Sequence, residues 1–472
     1  MMPVRKLFVL LLFIIVIIFS CKKESFTTAS NAFLQTSVDS LHFDTVFTTT
    51  GSITQFIKIV NDNNKGIKVN SVRLAGGSSS FFKINVDGNP GPQVNNVEIG
   101  ANDSAYVFVT VSINPNAANL PFIVQDSIEI SYNGNRKWVQ LDAYGQNARF
   151  LRNYEVRTNE TWNNNLPYVL LGRFTIDTNT TLTINKGCRV YMHADAPFIV
   201  HGTLQVNGEK WDSTRVVFAG DRLDVPYKNF PAGYPGFIFT DVSKNNSFTY
   251  ATIKNAYQGI VVLDPAPNAG PKITFNQTII DNAFDAGILS INSSISAKNL
   301  LVSNCGKNII LAKGGTYDFT HCTVVSISNN YIQHKEPVLF ISDYIRHGNV
   351  ITTAVLNATF RNCIFWSENN GIVPSEVVVE KKGNTNPQIL FDNVLWRVEN
   401  IPTFVNTLGN VINNQNPLFD SINVIQRFYN FRLKIAPQSP AIDKGNNITI
   451  GTFDLDNKQR INIPDLGCYE RN

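Results

Sequence analysis

Short stretches in which apolar and polar residues alternate fill the chain from residue 33 to residue 147. Ala105 to Ile113 alternates throughout, and clusters of Gly, Asn and Pro separate it from similar stretches. Two such stretches, 127–132 and 138–143, flank Asn133-Gly134, a dipeptide typical of two-residue hairpin turns. Several short strands with turn signals between them predict a β-sandwich over residues 33–147.

The pattern changes after residue 148, where shorter apolar segments recur with Gly- or Asn-containing turns between them. Similar segments start at Tyr250, Asn276, Lys298, His321, Asn362 and Asp392, so the starts advance by 26, 22, 23, 41 and 30 residues. Such periods indicate a solenoid of stacked coils. We predict a single-stranded parallel β-helix over residues 148–438, with an insertion at 329–358 explaining the longest step. An antiparallel barrel is the alternative, whereas the absence of amphipathic helical segments argues against a βαβ fold.

Aligning these segments from their first residues places amides and thiols in one column. The second column reads Ala251, Gln277, Asn299, Cys322, Cys363 and Asn393. We expect its amides to form a hydrogen-bonded ladder at a turn, and its cysteines to stack as small buried side chains.

The N-terminus has the pattern of an export signal. Arg5 and Lys6 precede the apolar run 7–19, which is too short to span a bilayer and suits a signal peptide. Ser20-Cys21 then resembles a lipobox, in which a cysteine thiol receives a lipid. We predict a signal peptide at 1–20 and a lipidated tether at 21–32, which implies a cell-envelope protein anchored to the outer membrane, periplasmic or surface-exposed. A plain signal peptide with an incidental cysteine, or an uncleaved anchor, is the alternative.

Three segments resemble parts of bacterial surface lipoproteins. Residues 43–48 and 84–88 resemble an immunoglobulin-like domain found beside β-helices, and residues 182–187 resemble the entry of a pectin-lyase-like right-handed β-helix. Ser439-Pro-Ala-Ile-Asp-Lys-Gly445 and Asp465-Leu-Gly-Cys-Tyr-Glu470 resemble the closing segment of such proteins, here 439–472. The resemblance implies an all-β fold, with an immunoglobulin-like β-sandwich followed by a right-handed parallel β-helix.

Composition excludes several function classes. The chain of 472 residues has a net charge of +4 and 16% charged residues, without the basic tracts that nucleic-acid binding needs. Its six cysteines include Cys21, and the remaining odd, widely spaced set forms no CxxC pair. We therefore expect buried free thiols, no metal site, no cofactor and no nucleic-acid partner.

Two candidate ligand sites emerge from the sequence. Phe230, Tyr234 and Phe237 lie in a proline-rich segment whose aromatic rings suit stacking on sugars; a flap packed on the solenoid is the alternative. Lys298, His321 and Arg361 lie near one predicted turn and suit a small basic face; solvated turn residues are the alternative. The acidic residues at 454, 456 and 465 are interpreted as capping the last coil rather than as a calcium site.

No catalytic constellation is recognisable, and we assign no catalytic residue. The favoured function is a non-catalytic envelope lipoprotein for adhesion or glycan binding, whose partners are membrane lipid through Cys21 and a polysaccharide or cell-surface glycan. The alternatives are a polysaccharide lyase or glycoside hydrolase acting in the β-helix groove, or a purely structural role.

Overall fold

The protein is described by a computed structural model that covers residues 25–48, 51–114, 122–368 and 372–471. The proposed signal peptide and Cys21 lie outside these residues. The described chain is all-β, which confirms the predicted fold class, and it divides into two compact units between Asn147 and Ala148. Among these residues no helix reaches the length and apolarity that crossing a membrane requires.

The first unit is a β-sandwich of two sheets. Its strands are β1 (Phe26–Thr27), β2 (Gln35–Thr36), β3 (Ser40–Phe47), β4 (Gln55–Asn61), β5 (Gly66–Leu74), β6 (Phe82–Val86), β7 (Asn89–Gly91), β8 (Gln93–Ile99), β9 (Asp103–Val111), β10 (Phe122–Tyr132) and β11 (Asn135–Gln146). One sheet has the order β1-β5-β10-β11-β3 with β8 on β5, and the other β2-β4-β9-β6-β7. The predicted hairpin is confirmed: Tyr132 pairs with Asn135, and Asn133 and Gly134 have φ of 47° and 79°.

The second unit consists mainly of short parallel strands. The earlier ones are β12 (Arg149–Arg152), β13 (Glu155–Val156), β14 (Glu160–Trp162), β15 (Tyr168–Leu171), β16 (Phe174–Ile176), β17 (Thr181–Asn185), β18 (Arg189–Met192), β19 (Phe198–Val200), β20 (Thr203–Asn207), β21 (Val216–Gly220), β22 (Tyr234–Phe239), β23 (Asn246–Thr249), β24 (Ala251–Lys254), β25 (Ala256–Leu263), β26 (Ile273–Asn276) and β27 (Ile279–Asp281).

The later strands are longer where one strand continues around a corner. They are β28 (Ala286–Lys298), β29 (Leu301–Ser303), β30 (Lys307–Thr320), β31 (Thr323–Ile327), β32 (Leu339–Ser342), β33 (Tyr344–His347), β34 (Val350–Thr353), β35 (Leu356–Glu368), β36 (Val377–Glu380), β37 (Gln388–Trp396), β38 (Asn406–Asn413), β39 (Phe419–Asn423) and β40 (Phe428–Leu433). Short 3-10 turns occur at Gly77–Ser79, Tyr227–Asn229 and Asn447–Thr449.

Each early strand pairs in parallel with the third strand that follows it, as β12 does with β15 and β17 with β20. Three strands therefore make one coil, and successive coils stack as in a parallel β-helix. Of the predicted insertion 329–358, the β33–β34 hairpin projects from the stack, whereas β32 is itself a coil strand.

The interior of the coil is filled by stacked apolar side chains. Phe174, Phe198 and Phe237 occupy equivalent positions in successive coils, with ring centroids 4.5 and 4.7 Å apart. All three are buried. Chemistry is thus left to the outward positions and the turns.

The register of the turn differs by one residue from the predicted alignment at three segments. Ile279 pairs with Thr252 and Leu301, and Leu395 pairs with Ile364. Each of these segments has two consecutive apolar residues, and the sequence does not show which of the two faces the interior. The predicted alignment therefore chose the wrong residue in these segments. The true turn column has φ between 45° and 57°, and consists of Tyr250, Gln277, Asn299, His321, Asn362 and Asn393.

The amides of this column do not form the predicted ladder with one another, because the C-terminal segment binds them. That segment runs backward along the flank of the coils. Its contacts are Asn393 Nδ2 to Lys444 O (2.6 Å), Asn446 N to Asn362 Oδ1 (2.6 Å), His321 Nε2 with Thr449 Oγ1 (2.8 Å), Asn299 Nδ2 to Phe453 O (2.7 Å) and Tyr250 Oη to Asn457 Oδ1 (3.0 Å).

The predicted cap on the last coil is therefore a cover on the side of the solenoid. Leu455, Leu466 and Phe431 pack against outward-facing Leu301 and Val325. The acidic groups organise this cover: Asp454 accepts hydrogen bonds from the backbone N–H of residues 456, 458 and 470. Backbone N–H donors thus satisfy the Asp454 carboxylate within the cover.

Candidate functional site

A cleft of about 450 Å³ opens on an outward face of the β-helix, over strands β18, β21 and β24. Further along the same face, the C-terminal segment covers Leu301, Val325 and Ile364. The residues that line the cleft are Arg189, Tyr191, Val217, Ala219, Gly220, Arg222, Leu223, Lys228, Asn229 and Lys254.

The cleft exists because one coil carries small residues where its neighbours carry long ones. Ala219 pairs with Tyr191 of the coil below, and Lys254 stands above Ala219 in the next coil. Equivalent side chains of stacked strands lie about 4.8 Å apart. The short side chain of Ala219 between those of Tyr191 and Lys254 therefore leaves a depression in the surface. Gly220 extends it toward the turn.

A flap formed by residues 221–233 makes the outer wall. Two asparagines in left-handed conformations at the next turns hold its backbone: Asn255 Nδ2 donates to Lys228 O (2.7 Å), and Asn282 Nδ2 donates to Asn229 O (3.1 Å). Asn tolerates this conformation and keeps its amide free to bond a neighbouring chain. The flap is therefore fixed to the coils at the position where it covers the cleft.

The lining carries four cationic side chains. Arg189 donates to three backbone carbonyls, at 2.6, 2.7 and 3.5 Å, which orient its guanidinium without neutralising its charge. Arg222 pairs with Asp224 at 2.7 Å, and Lys228 and Lys254 complete the set. No carboxylate is among the lining residues of this cleft, so its lining carries an excess of positive charge even with Arg222 paired to Asp224.

Lys254 is the cation least engaged by other groups. Within the described ranges its side chain has no hydrogen bond or ion pair, and the side chain of Asp281, its partner in the strand register, binds Ser303 (2.7 Å) and Asn304 (3.1 Å) instead. Burial against the cleft walls lowers the pKa of Lys254; Asp281 opposes this shift, and nearby positive charges, with Arg189 foremost, reinforce it. Burial also raises the pKa of Asp281.

A row of aromatic and arginine side chains leads away from the cleft along the flap. The Arg222 guanidinium lies 4.0 Å from the Tyr227 ring centroid, and Tyr227 and Phe230 are 5.1 Å apart. Phe230 lies 4.8 Å from Tyr331, over which Arg427 lies, also at 4.8 Å. We call these five residues the rim row. Tyr227 is 45% and Tyr331 38% exposed, so the row presents ring surface to solvent.

The structure separates the three aromatic residues of the first sequence candidate. Phe230 is half-buried in the flap, as part of the rim row. Tyr234 and Phe237 point into the core of the solenoid and are buried, because they begin the inward alternation of strand β22. The prediction that Tyr234 and Phe237 stack on a sugar is therefore wrong. Of the three residues, only Phe230 lies near the surface.

The three residues of the second candidate do not form a basic face. His321 is buried in the turn column, where burial lowers its pKa well below the usual value and it meets Thr449 at 2.8 Å. Arg361 pairs with buried Asp392 at 2.8 Å, and only Lys298 remains half-exposed and without an ion pair in the described chain. The three side chains therefore lie in different environments and present no shared basic surface.

Sequence reasoning missed Arg189, Tyr191 and Lys254. The signal was present, since aligning their strands places Ala219 between the long outward side chains of Tyr191 and Lys254. Finding it needs the exact register of neighbouring coils, which the sequence alone did not fix.

The described residues contain no group of three or more His, Cys, Asp or Glu side chains arranged to hold a metal ion. The five cysteines of the described chain are buried and free, which confirms the interpretation as buried thiols. Burial raises the pKa of Cys188 to about 11 and that of Cys468 to about 12, which suppresses their reactivity.

No known protein family and no curated protein matches the sequence. Among similar solved structures is a family 123 glycoside hydrolase from Clostridium perfringens, described for glycolipid glycan hydrolysis, with 15% identity and a TM-score of 0.19. The match covers 24% of this chain and about a quarter (26%) of the hydrolase. Another is an ASH/PapD-like domain of human CEP192, with 9% identity, a TM-score of 0.17, and coverage of 27% of this chain and 92% of that domain. Function is therefore argued from the residues of this chain.

Proposed function

We propose that this protein binds an acidic polysaccharide in the basic cleft of its β-helix. The observation that carries the proposal is the set of four cationic side chains around one cleft whose lining includes no carboxylate. A ligand with regularly spaced carboxylates or sulfates complements such a surface, because each anionic group can take a charge-assisted hydrogen bond.

The aromatic side chains supply the second part of sugar recognition. Tyr191 forms the lower wall of the cleft, and Tyr227 lies at its mouth with almost half of its surface exposed. Apolar C–H faces of a sugar ring pack on such rings while its charged groups face Lys254 and Arg189. A largely pre-formed concave site with a few polar groups is typical of ligand-binding clefts.

Isothermal titration of the full-length chain with three hexasaccharides tests this proposal: a uronate oligomer, a sulfated oligomer and neutral cellohexaose. We expect binding of an acidic oligomer that weakens as salt is raised, because ion pairs at the mouth of the cleft are screened. The two acidic arms distinguish carboxylate from sulfate recognition. Equal binding of the neutral oligomer, or no binding of either acidic one, contradicts the proposal.

A polysaccharide lyase is the second candidate function, favoured by Lys254. A lysine whose pKa is lowered, beside an arginine, is suited to accept the proton from the carbon next to a uronate carboxylate while Arg189 neutralises that carboxylate. The glycosidic C–O bond at the adjacent ring carbon then breaks, a carbon–carbon double bond forms, and the leaving oxygen takes up a proton from water. Release of unsaturated product from a uronate polymer, measured by ultraviolet absorbance, tests this. Product formation abolished in Lys254→Met supports the lyase, whereas binding without product supports the non-catalytic role.

We further propose that Cys21 is lipidated and anchors the protein to the cell envelope. The support is the sequence of the leader, a positive start, an apolar run and Ser20-Cys21. Metabolic labelling with an alkynyl fatty acid should mark the wild type in the membrane fraction and leave Cys21→Ala unlabelled. Equal labelling of both argues against the assignment.

A further inference from the structure

We infer that the ligand of the cleft is a polymer several sugars long, and that Arg427 and Tyr331 bind the sugars that extend beyond the cleft. This inference rests on the proposed function and specifies the ligand of the same site. It follows from the rim row, which joins the cleft to the hairpin β39–β40.

The rim row is continuous with the cleft at one end. Arg222 lines the cleft and lies over Tyr227. At the other end, the Arg427 guanidinium donates to the backbone oxygen of Asn229, which is also a cleft-lining residue. Arg427 is also close enough to Lys254 for its charge to lower the pKa of that amine. Three segments distant in sequence thus meet along one path.

The chemistry of the row matches that of an acidic glycan chain. Ring centroids follow one another at 5.1 and 4.8 Å from Tyr227 through Phe230 to Tyr331, with neighbouring rings tilted by 57° and 52°, so they form one continuous aromatic strip along which a sugar chain can lie. An arginine stands at each end of these rings. Arg427 has no carboxylate partner in the described chain, so its charge is available to a ligand anion, while its position over Tyr331 fixes the guanidinium plane.

A purely structural role for Arg427 makes a different prediction. If it only braces the flap through Asn229, its removal loosens the wall of the cleft and weakens ligands of every length by the same factor. If it contacts outer sugars, its removal penalises long ligands selectively. The ratio of affinities for a long and a short oligomer therefore separates the two roles.

The test is titration of the full-length wild type, Arg427→Ala and Tyr331→Ala with a uronate disaccharide and a uronate octasaccharide, or the sulfated equivalents where the sulfated oligomer is the one bound. Arg173→Ala, which removes an exposed arginine elsewhere on the β-helix, is the matched charge control. We expect Arg427→Ala to lower the octasaccharide-to-disaccharide affinity ratio about tenfold, as loss of one charge-assisted contact does. Tyr331→Ala should lower it several-fold, and Arg173→Ala should leave it as in the wild type.

An unchanged ratio in Arg427→Ala and Tyr331→Ala overturns the inference and leaves the proposed function standing. Failure of the wild type to bind either length removes the proposed function itself. If Arg173→Ala also lowers the octasaccharide-to-disaccharide affinity ratio, the preference for long ligands arises from the overall charge of the protein, and the inference is overturned.

Discussion

Lys254 and Asp281 are partners in the register of neighbouring coils, yet they form no ion pair. The Asp281 carboxylate accepts hydrogen bonds from Ser303 and Asn304, and the Lys254 side chain lies beside the depression at Ala219. A positive charge is thus kept at a cleft wall although a carboxylate lies within its electrostatic reach. The separation leaves the ammonium available to a ligand.

Binding of an acidic oligosaccharide should weaken as the pH rises, and it should do so at a lower pH than the loss of a proton from an ordinary lysine would explain. Burial lowers the pKa of Lys254, so its ammonium loses the proton, and its attraction for an anion, below the usual range. Titrations from neutral pH to about pH 10 measure this. Lys254→Arg keeps its charge over that range and should abolish the change. The same alkaline weakening in Lys254→Arg would assign the effect to another group.

Filling the depression should remove binding without unfolding the protein. Ala219→Leu places a branched side chain between Tyr191 and Lys254, where the ligand is expected to lie. We expect at least a tenfold loss of affinity and a loss of unfolding free energy of about 1–3 kcal/mol, because Ala219 is only 4% exposed and its neighbours must make room for the added atoms. Thr252→Leu, on the same face and outside the lining, is the control. Full affinity in Ala219→Leu would show that the ligand binds elsewhere.

His321 should make the β-helix sensitive to acid. Its folded pKa lies well below 6.5, so the unfolded chain binds the extra proton first, and stability is lost as pH falls below about 6.5, by at most about 1.4 kcal/mol per pH unit. Asp465 and Glu470, whose pKa values burial raises to about 6 and about 7, act in the opposite direction, because the folded state binds their protons first.

His321→Asn isolates the histidine contribution, since Asn suits the positive φ of 53° and occupies this turn in the neighbouring coil. Urea unfolding below and above about pH 6.5 should show a smaller acid loss in the variant than in the wild type. Identical pH dependence in both would show that His321 is not the group that titrates.

Lys272 should contribute strongly to stability. Its side chain is fully buried, and Nζ donates to Thr240 O (2.7 Å), Asp241 O (3.0 Å) and Leu263 O (2.6 Å). Burial lowers the pKa of Lys272 to about 8, which still leaves it charged at neutral pH. Lys272→Met leaves these three backbone carbonyls without their hydrogen-bond donor. It should lower the free energy of unfolding by about 3 kcal/mol, measured by urea unfolding. Lys335→Met, at an exposed site, should change little. Equal stability of the two variants would mean that water replaces the ammonium.

The sequence was sufficient for the architecture because that depends on alternation and period. Asn133-Gly134 specified a hairpin by its backbone preference, and the recurring segments specified coils by their spacing. The register of the coils was less accessible: Thr278-Ile279-Ile280 offers two apolar residues for one interior position, and the left-handed turn residue decides between them.

The candidate site depended on that register. Tyr234 and Phe237 looked available in a proline-rich segment, but strand β22 begins there and turns both inward. His321 looked like part of a basic face, but the C-terminal segment returns over it from more than a hundred residues away. Contacts between residues so far apart in sequence leave no pattern in the local sequence. The same holds for the contact between the flap and the coil that carries Ala219.

The most direct test of the central claim is the affinity of Lys254→Met for the acidic oligosaccharide that the wild type binds, measured beside Lys335→Met. Both changes remove one lysine from the β-helix, and only one alters the cleft. We expect a loss of about tenfold or more for Lys254→Met and none for Lys335→Met, as for one charge-assisted contact. Equal affinities of the two variants would contradict binding in this cleft.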